Sequence, residues 1–180
     1  MKKAAILFFA LCFTLTFVAC ASKPPASRGM PSRVARARRN APNDVLVGIG
    51  NAKMANTNQS RSLAATRART EISNIMSSMV KNMATDYWAS SEVDPQAQLA
   101  YADNITVTLS KSDLSGATIQ FEEPEKDGTW WCVIYLNKAD VVREISQAQA
   151  AARLAVPQAA SLDATARMDE AFERARKEGW

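Results

Sequence analysis

The chain has 180 residues with no histidine and three cysteines. That length suits one modest domain rather than two ordinary ones, and the missing histidine removes the commonest general base and metal ligand. The net charge of +4 is unevenly placed: residues 1–42 hold eight basic side chains and no acid, while residues 43–180 hold fourteen basic and eighteen acidic ones. The basic character therefore belongs to the N-terminal quarter, and the remainder is mildly acidic.

Lys2 and Lys3 form a short positive head, and Ala4 to Ala19 (AAILFFALCFTLTFVA) carries no charge. A helix crossing a hydrocarbon core of ~30 Å needs ~20 apolar residues. This run is shorter and contains Thr14 and Thr16, so it is expected to be a cleavable export signal. It ends in Phe17-Val18-Ala19-Cys20, which resembles the lipobox cut by signal peptidase II between the small residue and the cysteine. The resemblance implies that residues 1–19 are removed, with cleavage between Ala19 and Cys20, and that Cys20 carries diacylglycerol and, in many bacteria, a further chain such as palmitate. Phe17 stands where such sites usually have Leu. An ordinary export signal with Cys20 incidental is the simpler alternative, but its peptidase would prefer a small residue at 17 as well as 19. Each buried methylene contributes about 0.8 kcal/mol, so two or more chains on Cys20 would hold the protein on a membrane. Ala21, not Asp, follows the cysteine, so the expected destination is the outer membrane of a two-membrane envelope.

Residues 20–42 carry Lys23, Arg28, Arg33, Arg36, Arg38 and Arg39 among Pro24, Pro25, Pro31, Pro42, Gly29 and several serines. Such a composition buries little apolar surface, and a disordered, lipidated tether is expected. Arg33, Arg36, Arg38 and Arg39 are candidates for contact with anionic headgroups, each contributing about 1 kcal/mol; a plain soluble spacer is the alternative. Nucleic acid is not an expected partner, because the leader directs the chain out of the cytoplasm.

From Asn43 the pattern is that of a folded domain, expected over 43–155. Val45, Val47 and Ile49 alternate with Leu46, Gly48 and Gly50, which predicts a short strand closing in a glycine-rich turn. The third glycine of a dinucleotide fingerprint is absent, position 53 being Lys. Ala64, Ala68, Ile72, Ile75, Met76, Met79 and Met83 recur at three and four, which predicts a helix from about Asn58 to Trp88 with one apolar face. Ser78-x-x-Lys81 matches a penicillin-binding tetrapeptide, but neither companion motif follows. After a polar stretch, Ile105, Val107 and Leu109 alternate with Thr106, Thr108 and Ser110, and Ala117, Ile119 and Phe121 with Thr118 and Gln120, predicting two half-buried strands. Glu122 to Gly128 is an acidic connection ending in Asp-Gly; a solvated hairpin is expected there rather than a calcium loop. Thr129 to Leu136 is apolar on both faces, Trp130, Cys132, Ile134 and Leu136 on one and Trp131, Val133 and Tyr135 on the other. A helix follows over Ala139 to Leu154, broken by Pro157. Residues 156–180 suggest a last helix with a thin stripe of Ala164, Met168, Phe172 and Ala175. The expected class is α+β, a small antiparallel sheet with a long helix packed across it in strand-helix-strands-helix order, plus a C-terminal helix.

The strings Val47-Gly48-Ile49-Gly50-x-Ala52, Ala65 and Arg67 in an Ala/Arg-rich helix, Trp131-Cys132-Val133-Ile134 and Lys138-Ala139-Asp140-Val141 resemble, in order and spacing, the Lpp-twenty family of bacterial lipoproteins. That family shares a domain with the N-terminal part of the flagellar assembly protein FlgT. The resemblance spans about Val47 to Val142. It implies a compact envelope domain in which the lipidated cysteine, matched by Cys20, is the one residue with a clear chemical role.

Once Cys12 leaves with the leader and Cys20 is acylated, Cys132 stands alone and no intrachain disulfide is expected. No cofactor pattern, metal-ligand set or catalytic constellation is recognisable. The expected function is therefore a membrane-anchored envelope lipoprotein with a non-enzymatic binding or structural domain, its partner another envelope protein or the cell wall. Trp131, Val133 and Tyr135 form the candidate binding surface, provided the Ala139 to Leu154 helix leaves that face open. The alternative is an envelope hydrolase or redox protein using Ser78 or Cys132, either of which would need a base or an electropositive setting.

Overall fold

The computed structural model describes residues 29–178 as an α+β fold of five α-helices and a three-stranded antiparallel sheet. In chain order the elements are α1 (Ser32–Arg39), β1 (Val45–Ala52), α2 (Thr57–Asp86), α3 (Pro95–Ser110), β2 (Thr118–Pro124), β3 (Trp130–Asn137), α4 (Lys138–Ala155) and α5 (Met168–Lys177). Short 3-10 turns occupy Trp88–Ser90 and Pro157–Ala159. The expected leader, the expected Ala19–Cys20 cleavage site and Cys20 lie outside the described residues.

The sheet order is β1-β3-β2, with the apolar strand β3 in the centre. Register places Leu46 opposite Leu136, Gly48 opposite Ile134 and Gly50 opposite Cys132, so these residues share one face. That face receives α2. The two glycines belong to the strand interior, not to a turn after it, and their role is close approach. A Cβ at Gly48 would sit 2.1 Å from the Ala68 carbonyl oxygen, and one at Gly50 would sit 2.0 Å from that of Ala64. Small residues on α2 and none at all on β1 thus let helix backbone rest on strand backbone. The outer edge of β1 is also closed by α2: the Ile49 N–H donates to the Glu71 carboxylate, and the Arg67 guanidinium donates to the Asn51 carbonyl at 2.6 Å. Edge groups that would otherwise template another strand are occupied.

α2 begins at Asn56, whose side-chain oxygen accepts from the Asn58 N–H at 2.8 Å, a preferred N-cap. Its apolar positions Ala64, Ala68, Ile72, Ile75, Met76, Met79 and Met83 are all buried, as their spacing predicts. The segment expected as a strand at Ile105 to Leu109 is instead the end of α3. Ile105 and Leu109 are four apart, a spacing compatible with period 2 and with 3.6, so alternation alone misled. Asp94 accepts from the Ala97 N–H at 3.1 Å with Pro95 in the first turn, which starts a helix. Tyr101, Ala102, Ile105 and Leu109 then face inward while Val107 is left 51% exposed.

A second correction concerns β2. A bulge between Ile119 and Phe121 sends these two residues to opposite faces, where continuous alternation predicted the same one. Beyond β3, α4 packs on α3 through Val141, Ile145, Ala148 and Ala152, and α5 packs on α2 through Met168, Phe172 and Ala175. The connection between α4 and α5 is held by Trp88 and Tyr101, whose rings lie 5.3 Å apart. The Trp88 indole N–H donates to the Asp163 carbonyl and the Tyr101 hydroxyl to that of Leu162. Val156, Ala159, Leu162, Ala164, Met168, Phe172 and Ala175 therefore belong to the same core as the sheet and α2.

Candidate functional site

The far face of the sheet is where the sequence placed its binding surface, and the structure covers it with α1. Residues 32–39 were expected to belong to a disordered tether. They form a helix because Val34 and Ala37, three apart, give even this basic segment an apolar side that the sheet can bury. Val34 is fully buried. The Tyr135 hydroxyl donates to the Ala37 carbonyl at 2.6 Å, meeting one of the orphan acceptors at the helix end. Arg33 reaches across to the β2–β3 hairpin, donating to the Pro124 carbonyl at 3.0 Å, to Glu125 at 2.9 Å and to Glu123, with its guanidinium 5.5 Å from the Phe121 ring. The arginines at 36, 38 and 39 close the helix at its C-terminus, the end that favours positive charge.

The candidate surface of Trp131, Val133 and Tyr135 is thus not open. Trp131 is 8% exposed and Val133 fully buried, while Tyr135 is half-buried with its phenol pushed upward by that burial. The helix foreseen as their cover, α4, packs on α3; the cover comes from the segment before the sheet. Arg33 likewise moves from the set of headgroup candidates to a clamp between α1 and the hairpin.

The acids of that hairpin are similarly spoken for. Glu122 pairs with Arg61, Glu123 and Glu125 with Arg33, and Asp127 accepts from the Thr129 N–H at 2.9 Å and lies 3.7 Å from Lys53. Among the described residues no group of three potential metal ligands converges. Ser78 lies on the exposed side of α2, its hydroxyl donating to the Asn74 carbonyl one turn earlier at 3.0 Å, and Lys81 points toward Asp103. Neither arrangement activates a serine. Cys132 is fully buried against α2, and burial, aided by the Glu122 charge, pushes its thiol up to about 11. A thiol held protonated in that way is a packing group.

No family model and no curated protein matches this chain. The strings that carry the family resemblance are neighbours in the fold, since Val47 to Ala52 and Trp131 to Ile134 are antiparallel partners in β1 and β3. Their glycines and small residues answer to the fit of α2. Among the described residues no helix is long and apolar enough to cross a membrane.

What the sequence reading missed is α1. Its signal was present as Val34-x-x-Ala37 among arginines, but one apolar pair in eight residues is outweighed by the prolines and charges around it. The feature that remains exposed is the outer side of that helix, with Arg36 and Arg39 one turn apart.

Proposed function

We propose that this protein is an envelope lipoprotein, exported through its first nineteen residues and anchored by acyl chains on Cys20, whose domain works by binding or scaffolding rather than catalysis. The observation that carries the reading is the run from Lys2 to Cys20: two lysines, a charge-free segment too short to be a lasting span, and a small residue directly before a cysteine. Two features support the non-enzymatic part. The two candidate nucleophiles are disposed as packing and helix-surface groups, Cys132 with a raised pKa and Ser78 donating to its own helix. The acids around the hairpin are engaged by arginine and lysine partners. The resemblance to Lpp-twenty lipoproteins points the same way, and so does the placement of the arginine-rich segment immediately after the cysteine. With Ala21 following Cys20, the outer membrane is the proposed site.

Labelled palmitate supplied to cells expressing the full chain tests this. Label should enter the wild-type protein, and the mature mass should match a chain starting at an acylated Cys20; Cys20→Ala should lose both. A mature protein cut elsewhere, or an unmodified Cys20, refutes the anchor.

A further inference from the structure

Most arginines of the described domain are held by protein oxygen atoms, Arg67 and Arg153 by backbone carbonyls and Arg167 by Glu170, and Arg69 is half-buried. Arg33, Arg61, Arg143, Arg174 and Arg176 each pair with a carboxylate. Arg38 lies near enough to Glu71 to pull that carboxyl downward. Arg36 and Arg39 differ: both are exposed, and neither makes an ion pair among the described residues. At about 100° per residue they fall roughly 200° and 140° around the helix from Val34, so they straddle the point opposite the buried side. Because α1 is fixed to the sheet by Val34, the Tyr135 hydroxyl and the Arg33 clamp, this pair is displayed at a set orientation relative to the whole domain.

The chain between Cys20 and α1 sets where that display can be. Eleven residues separate Cys20 from Ser32. However they are arranged, the distance spanned cannot exceed roughly 40 Å. The folded segment begins about half as far from the cysteine as a tether running to residue 42 would have placed it. α1 is consequently the first described element after Cys20, and Lys23 and Arg28 add to the positive charge in between.

We propose that Arg36 and Arg39 form a headgroup-binding face that docks the domain on anionic phospholipid, turning α1 and the far face of the sheet toward the bilayer and α2 to α5 away from it. The proposal rests on the lipoprotein reading for its geometry, since the anchor is what brings α1 to a membrane. Charge complementarity names the occupant: two guanidiniums without protein carboxylates, one turn apart on a fixed helix, match a surface of phosphate groups.

The test uses the polypeptide 21–180, which omits Cys20 and so carries no lipid. Every buried apolar residue among those described lies between Val34 and Ala175, so that chain keeps the whole core. Sedimentation with phosphatidylcholine vesicles, with and without phosphatidylglycerol, should show binding only to the mixed vesicles and loss of it as salt rises. Arg36→Gln with Arg39→Gln should weaken partition by roughly 30-fold at low salt, from about fivefold for each arginine. The pair should lower the melting temperature only slightly, because both side chains are exposed and give up no more than their interaction with the C-terminal end of α1. Lys111→Gln with Lys177→Gln removes the same charge from exposed positions elsewhere and should change partition little. Equal losses in the two double variants, or no preference for phosphatidylglycerol, would overturn the proposal. Because this assay contains no lipid anchor, it fails or succeeds independently of the palmitate experiment, which reads acylation of Cys20 alone.

Discussion

Gly50→Ala is the sharpest test of how α2 sits on the sheet. Replacing a strand glycine by alanine on an open surface stabilises by about 0.5–1 kcal/mol, because alanine has less backbone freedom to lose. Here the sign should reverse. The added Cβ would lie 2.0 Å from the Ala64 carbonyl oxygen and 2.5 Å from the Ala68 amide nitrogen, where ordinary contact begins at 3.4 Å. Both obstacles are helix backbone, so no side-chain rotation relieves them, and α2 must withdraw by about 1 Å along an interface packed to interior density. Overpacking of this kind costs about 1–3 kcal/mol and more where the neighbours cannot yield. A net loss of about 3 kcal/mol in a domain of this size lowers the melting temperature by roughly 6–12 °C. Thermal melts followed by circular dichroism check this against Gly29→Ala, whose Cβ meets nothing within 4 Å and should be neutral. If Gly50→Ala melts with Gly29→Ala or above it, the backbone contact between α2 and β1 is wrong.

Two further outcomes follow from buried groups. Cys132 is the only cysteine in polypeptide 21–180; being fully buried with its thiol raised to about 11, it should react with an aromatic disulfide reagent at pH 8 no faster than the domain unfolds. Reaction in native buffer as rapid as in urea would place the thiol at the surface. Burial raises the Glu71 carboxyl above its ordinary value, while the Ile49 N–H and the Arg38 charge pull it part of the way back. A carboxyl raised in the folded state holds its proton more tightly there than in the unfolded chain. Its contribution is therefore fully present below the unfolded value and lost as pH rises through the folded one. Glu71→Gln keeps an acceptor for the Ile49 N–H and cannot ionise, so its stability relative to wild type should increase across that window. Urea unfolding of both proteins at mildly acidic and neutral pH measures this, and a difference that stays flat or falls with pH contradicts it.

Long, repeated patterns were legible without a structure. Seven apolar positions of α2 recur over more than five turns, and no other element offers them so continuous a surface, so helix and buried face were both readable. Trp130 to Leu136, apolar on both sides, could belong only where two layers meet, and it is the central strand. Local signals of one turn or less were not decisive. Ile105 and Leu109 satisfied two periods at once, and the cap at Asp94 and Pro95 with the inward Tyr101 resolved them as helix. The Gly48 and Gly50 pair looked like a turn because glycine is ambiguous between conformational freedom and lack of a side chain; only the position of Ala64 and Ala68 shows that the second property is the one in use.

For the candidate site the division is sharper. The proposed leader, Cys20 and the arginine run are chemical statements of sequence, because a charge-free segment, a small residue before a cysteine and a density of guanidiniums need no fold to be recognised. Which arginines face outward is a tertiary fact. Val34 finds a place to bury itself only because the sheet's far side is apolar, and once it does so Arg33 is carried to Glu123 and Glu125 while Arg36 and Arg39 are left exposed, without an ion pair among the described residues. Whether Trp131, Val133 and Tyr135 were surface or core was equally undetermined along the chain, since the same residues serve either role. The sequence by itself determined the charges, the cysteine and the amphipathic faces; packing decided which face met which, because burial is a property of pairs of surfaces and not of either one alone.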